Sequence, residues 1–136
     1  LKSGKIVVSD RFTDSTLAYQ GYGRGLSLPL IRRFDRIMTG GFRPDLTILL
    51  DLTAEKGLAR ARRRHREKTA LRKEGRFEIE ALSFHERVRR GYLELARREP
   101  GRFVLVPVEG SPAQVHEAVW SRLGEACDLK RRRRRG

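Results

Sequence analysis

The stretch "RPDLTILLDLTAEKGLAR" (residues 43–60) decides the fold class. Pro44 and Asp45 restart the chain, and the apolar run 46–52 has the length and composition of a buried strand. Thr53 supplies an N-cap and Glu55 a first-turn acid, so a helix over 54–64 follows at once. A strand that feeds a helix within two residues is the repeating unit of an α/β chain.

The same alternation extends in both directions. "KIVVS" (5–9), rich in branched residues and preceded by Gly4, predicts another buried strand. Residues 13–20 predict one short helix ended by the glycine-rich "GYGRG", and 28–38 a helix stopped by a cap at Gly40-Gly41. Apolar periodicity disappears over 66–75, which predicts a loop, and returns over 77–98 through Ile79, Leu82, Val88, Leu93 and Leu95. Pro100-Gly101 breaks that helix; "FVLVPV" (103–108) predicts a third strand and 111–123 a last amphipathic helix. There is no internal repeat. Strands alternating with helices imply right-handed crossovers and a parallel sheet, with ligands beyond the carboxyl ends of the strands.

The 136 residues are enough for one domain with a core, under a surface made polar by 35% charged residues. One cysteine, Cys127, cannot form an internal disulfide, and no apolar run reaches membrane-spanning length. A cytoplasmic protein without membrane contact is expected. The net charge is +14, of which the run Lys130 to Arg135 carries six, leaving +8 for the body. Such a run is a solvated tail, or an attachment point for nucleic acid or another acidic surface. The opening "LKSGKIVVSD" reads as a turn and strand already in mid-fold, so a fragment is expected.

Chemistry concentrates in "VSDRFTDSTLAYQGYGRGL" (8–26). An apolar strand ending in a carboxylate has the form of a segment that helps hold Mg²⁺ near phosphates. Both Asp10 and Asp51 fit that form, and either could instead cap a helix or close a strand-end salt bridge. Arg11 favours Asp10, because a guanidinium beside a carboxylate at the mouth of a parallel sheet can fork onto phosphate oxygens. Phe12 and Tyr19 are core filling or the walls of a nucleoside pocket. Between residues 60 and 73 lie eight cations, Arg60, Arg62, Arg63, Arg64, Arg66, Lys68, Arg72 and Lys73, against one acid, Glu67. That is a solvated helix end, or a lid that brings cations to a transferring phosphoryl group. His65, His85 and His116 lack metal-ligand spacing, so any metal site rests on carboxylates.

Three segments together, "DRFTDSTLAYQGYGRGL", "FRPDLTILLDLTAEKGLARARRR" and "GRFEIEALSFHERVRRGYLELA", resemble the carboxyl-terminal part of bacterial thymidylate kinases. The likeness runs in order from Ile6 to about Leu123. It implies a parallel-sheet, P-loop nucleoside monophosphate kinase-like α/β fold, incomplete because its first strands are missing. Residues 1–124 would be the carboxyl-terminal part of a kinase domain with a lid at about 60–76, and 125–136 a basic, disordered tail. The implied activity is phosphoryl transfer from ATP to dTMP with Mg²⁺, in a homodimer when full length. The resemblance gives Arg11 the dTMP phosphate and places Asp10 near the phosphates and metal. Ser15 and Thr16 would face thymine. Tyr19 would pack on the sugar and crowd a ribose 2′-hydroxyl, with Gln20 nearby. Among the lid arginines, Arg62, Arg64 and Arg66 are the candidates for contacting ATP and for catalysis.

One departure is large. No G-x-x-x-x-G-K-[ST] phosphate loop occurs in the 136 residues, and "SGK" at 3–5 precedes a strand instead of following one. In the family the loop's strand lies between those represented here by "KIVVS" and "LTILLDL". Its absence is expected to leave two unpaired edges and a chain that neither folds well alone nor catalyses. Two other readings are another nucleotide kinase of the same fold and a basic nucleic-acid-binding module. The second lacks the aromatics that would interleave with its basic residues.

Overall fold

The computed structural model describes residues 5–66 and 75–133, with side chains described over 5–63 and 81–127. The chain is α/β, as expected, and its described strands form one parallel pair. The elements run α1 (Thr13–Thr16), a π-helical turn (Leu17–Gly23), α2 (Leu28–Thr39), β1 (Thr47–Asp51), α3 (Ala54–Arg66), α4 (Gly75–Arg98), β2 (Phe103–Pro107) and α5 (Pro112–Arg133). β1 pairs with β2 in a register that sets Thr47 opposite Phe103 and Asp51 opposite Pro107. Both strands therefore end at the same edge, where α3 begins.

Local chemistry explains the boundaries. Ser27 caps α2 by accepting from the Leu30 amide, and Gly40, at φ 62°, closes it in the left-handed conformation that an L side chain resists. Thr53 accepts from the Lys56 amide at the start of α3. α5 opens on a reciprocal cap: the Ser111 amide donates to Gln114 Oε1 while the Gln114 amide donates to Ser111 Oγ. This helix runs ten residues beyond its expected end at Leu123, because 123–133 is composed mostly of strong helix formers and holds no proline.

Three expectations are corrected. Residues 5–9 are not a strand: Ile6, Val7 and Val8 are 92%, 69% and 90% exposed, and no neighbouring strand supplies ladder partners among the described residues. β1 is not buried on both faces, since Ile48 and Leu50 alternate outward while Leu49 packs on the core. The helix expected over 13–20 is one turn of α-helix continued by the π-helical turn. The wider turn carries Gly21 and Gly23 into close packing. A Cβ on Gly23 would lie 2.8 Å from Phe84 and Val88, and one on Gly91 would lie 2.6 Å from Tyr22, so bare backbone joins this turn to α4.

Among the described residues the core is small: its main cluster is Leu17, Ile31, Leu95 and Phe103, with Tyr22, Leu28, Leu49 and Ala96 packed against it, and Ala18, Ala54, Val88 and Val106 are also buried. An ionic tie reinforces it. Arg102, just before β2, forks onto the buried carboxylate of Asp14 with Nη1–Oδ2 2.7 Å and Nη2–Oδ1 2.8 Å. Thr47, opening β1, donates to Asp14 Oδ2 at 3.0 Å and accepts from Arg102 Nη1 at 2.9 Å. Arg102 Nε reaches Glu99, and the Asp14 bond holds the guanidinium still more firmly protonated than usual. The two partners' side chains are only 14% and 9% exposed, so each charge depends on the other.

Removing Arg102 alone (Arg102→Met) leaves the buried Asp14 carboxylate without a cation among the described residues and is expected to cost about 3–5 kcal/mol in urea unfolding. The double variant Asp14→Leu/Arg102→Met should recover most of that loss, and equal losses in single and double variants would contradict the coupling. Asp35 on α2 behaves oppositely. Desolvation first, then the Asp14 charge, raise its carboxyl pKa, and its Oδ2 is buried without a hydrogen-bond partner. A raised folded-state pKa means stability is lost as pH climbs through it. Asp35→Asn should therefore match the parent near pH 3 and melt at a higher temperature by pH 6–7; a gap independent of pH would contradict this.

Candidate active site

The segment following residues 5–9 makes its turn at Arg11, the one described non-glycine residue with a positive φ, 67°. That backbone costs about 1 kcal/mol or more for a side chain with a Cβ. Ser9 Oγ donates to the Arg11 carbonyl at 3.0 Å and steadies the turn. The turn projects the Arg11 guanidinium over the ring of Tyr19, 4.7 Å from its centroid, and Nη2 donates to the Tyr19 hydroxyl at 3.0 Å. Arg11 remains exposed, so its other donors are available to an anion.

α4 supplies the wall behind this pair. Phe84 and Tyr92, two turns apart, meet Tyr19 edge-on at centroid distances of 6.0 and 6.4 Å. The Tyr92 hydroxyl donates to Ser15 Oγ at 2.7 Å. The phenol is a neutral donor near neutral pH, and burial is the main cause that pushes its pKa above the usual 10. Arg87 Nε donates to the Gly23 carbonyl at 2.9 Å, and Arg24 Nη1 donates to Gln20 Oε1 at 2.9 Å.

Of the candidates from sequence, Arg11, Ser15 and Tyr19 are thus drawn into one cluster. Gln20 lies a residue further on and is engaged by Arg24. Thr16 is exposed on α1, and Asp10 is exposed beside Arg11 with no ion pair among the described residues. Asp51 differs from Asp10. It holds Arg89 in a fork, with Nε–Oδ1 2.6 Å and Nη2–Oδ2 2.8 Å, so the second strand-end carboxylate closes a salt bridge. That pair lines a cavity of about 150 Å³ at the carboxyl ends of β1 and β2, with Thr53, Lys56, Val108 and Glu109 around it. Arg62 is exposed near the end of α3; the side chains of Arg64 and Arg66, and most of the expected lid, lie outside the described residues. Among the described residues no three His, Cys, Asp or Glu side chains group as metal ligands, and no helix is long and apolar enough to cross a membrane.

Comparison with known proteins gives the family. The family model described as thymidylate kinase matches residues 1–119. The chain belongs to the thymidylate kinase family. It is 50% identical over 125 residues to the thymidylate kinase of Solidesulfovibrio magneticus, covering 92% of this chain and 60% of that protein. With the thymidylate kinase of Desulfovibrio desulfuricans the identity is 53% over 115 residues, 85% of this chain and 53% of that one. The crystal structure of thymidylate kinase from Ehrlichia chaffeensis superposes with a TM-score of 0.62 at 27% identity, covering 90% of this chain and 53% of that chain. The chain therefore spans little more than half the length of the relatives it matches. Its parallel pair of strands is part of the P-loop kinase fold.

The site residues that sequence reasoning missed are Asp14, Tyr92 and Arg102. Asp14 stood in a quoted motif without a role, and nothing in the sequence links it to a residue 88 positions away. Tyr92 likewise stood in a quoted segment without a role, and only the fold brings its hydroxyl to Ser15.

Glycine relieves the strain at Arg11 and alanine does not. Thermal melts should therefore find Arg11→Gly at least as stable as Arg11→Ala, by up to about 1 kcal/mol. A less stable glycine variant would mean that the positive φ carries no strain.

Proposed function

We propose that this chain carries the acceptor side of a thymidylate kinase site, where the γ-phosphoryl group of ATP passes to dTMP. In that reaction the bond from the γ-phosphorus to the β–γ bridging oxygen breaks, a bond to a dTMP phosphate oxygen forms, and ADP and dTDP leave. The observation that best supports this reading is the Arg11–Tyr19 clasp, set against Ser15 and backed by α4, in a member of this family.

Each residue has a physical task. Arg11 offers a fixed fork of donors to the acceptor phosphate, and Tyr19 limits where that fork can point. The Tyr19 ring is the sugar platform, where a ribose 2′-hydroxyl would be crowded. Thr16 and Ser15 supply hydroxyls on the base side, with Gln20 at the edge. Arg62, Arg64 and Arg66 bring positive charge to the transferring group as the lid closes. Asp10 fits a divalent cation, because it is exposed, carries no ion pair among the described residues and stands beside the phosphate-binding arginine. Mg²⁺ typically takes one or two carboxylates and completes its shell with phosphates and water, and when bound it neutralises charge developing on the phosphates.

A cradle for the ATP phosphates is absent from the 136 residues, so turnover belongs to a chain that also supplies one. A homodimer in the cytoplasm is the proposed working form.

The test fuses this chain to the part of the S. magneticus relative that it does not match. The fusion should phosphorylate dTMP in preference to other nucleoside monophosphates, including the ribose counterpart. Arg11→Ala should lower kcat by about 10²–10³-fold with the melt unchanged, and Tyr19→Ala should relax the preference for dTMP over its ribose counterpart. Preference for another monophosphate, or full activity without Arg11, would overturn the assignment.

A further inference from the structure

We infer that Tyr92 is a positioning residue for the acceptor nucleotide, acting through Ser15 and Tyr19 without touching the reacting atoms. The inference rests on the proposed acceptor site and goes beyond it by naming what orients that site.

The argument is one of hydrogen-bond inventory. A serine hydroxyl has one proton and two acceptor positions. Tyr92 donates to Ser15 Oγ at 2.7 Å and so occupies one acceptor position. The serine's own proton has no acceptor among the described residues. It is therefore turned away from Tyr92 and is available to a carbonyl of a bound base. A phenol is neutral throughout the neutral range, and burial moves the Tyr92 pKa further from it. The same side chain fixes Tyr19: the rings meet at 80° with centroids 6.4 Å apart, and Phe84 meets Tyr19 from another position on α4. Tyr19 in turn holds Arg11. One α4 residue thus touches the groups proposed for the base side and for the sugar.

Two ties between α4 and the π-helical turn keep Tyr92 from drifting. Gly91 packs against Tyr22 at a distance that allows no Cβ, and Arg87 ties α4 to the Gly23 carbonyl. Both fall within five residues of Tyr92, so its hydroxyl is aimed by a face of α4 already locked to the π-helical turn.

The experiment uses the fusion described above, assayed with dTMP and ATP. Tyr92→Phe keeps the ring and removes the hydroxyl. It should raise KM for dTMP about 3–10-fold, the worth of one lost hydrogen bond, while kcat and KM for ATP stay within twofold. Ser15→Ala should produce a similar rise, and the double variant should be no worse than Ser15→Ala alone, because both act through one hydroxyl. Additive losses, or equal changes for both substrates, would reduce Tyr92 to a packing residue. If a substituted protein does not fold, the ¹³C shift of the Tyr92 phenol carbon in labelled parent protein is read instead. It should move on adding dTMP and stay unmoved on adding ATP, and an unmoved signal with saturating dTMP overturns the inference. If the parent fusion turns over dTMP and Tyr92→Phe is silent, the inference alone falls. A fusion that binds no nucleoside monophosphate removes both the inference and the function it rests on.

Discussion

The buried fork between Asp14 and Arg102 is the constraint on which the remaining structure hangs. It joins the segment that carries the candidate site to the beginnings of both strands, since Thr47 completes the triangle from β1 and Arg102 leads directly into β2. Among the described residues only eight apolar side chains are buried, too few to fix so polar a segment by burial alone. An ion pair taken out of water offers no assured net stability, but it allows very few alternative arrangements, because either charge left alone is costly. Placing this tie three residues after Arg11 fixes the root of the turn while leaving the guanidinium at its tip exposed.

α4 then does for the functional side chains what Arg102 does for the backbone. One face of it presents Phe84, Val88, Gly91 and Tyr92. Two of these admit the π-helical turn at close range and two fix the ring of Tyr19. The wider helical turn is the compromise that satisfies both demands. It brings glycine backbone against α4 and still leaves Tyr19 under Arg11. The strained φ at Arg11 belongs to the same logic, since positive φ at a bulky residue persists only where the surroundings enforce it. Phosphoryl transfer depends chiefly on positioning and charge, and here α4 and the ionic tie stand behind the residues proposed to touch the nucleotide.

Much of this was legible in the sequence, and the gaps have physical causes. β1, β2 and α2 follow from apolar runs and caps, which are local signals: Ser27, Gly40 and Thr53 act within four residues of themselves. The cluster of Arg11, Ser15 and Tyr19 was legible through a family likeness that the comparisons support. Residues 5–9 read as a strand because composition reports what a segment could pair with, whereas a strand exists only beside a partner. Two similar motifs offered Asp10 and Asp51, and only the neighbouring Arg11 favoured Asp10. What the sequence could not show is the fork that engages Asp51, which comes from Arg89, 38 residues beyond it. Asp14 and Tyr92 stayed hidden for the same reason, as their partners lie 88 and 77 residues away.

Native-state hydrogen exchange on the chain and on its Arg102→Met variant tests most directly whether the ionic tie fixes the site segment. In the parent, the amides of Arg24, Gly25 and Leu26 donate into the π-helical turn and should exchange slowly. In the variant their protection, and that of residues 15–23, should fall by far more than that of the amides inside α5, which supplies no hydrogen bond to Asp14, Thr47 or Arg102 among the described residues. Equal losses everywhere, or unchanged protection over 15–26, would contradict the account and leave the segment held by apolar packing alone.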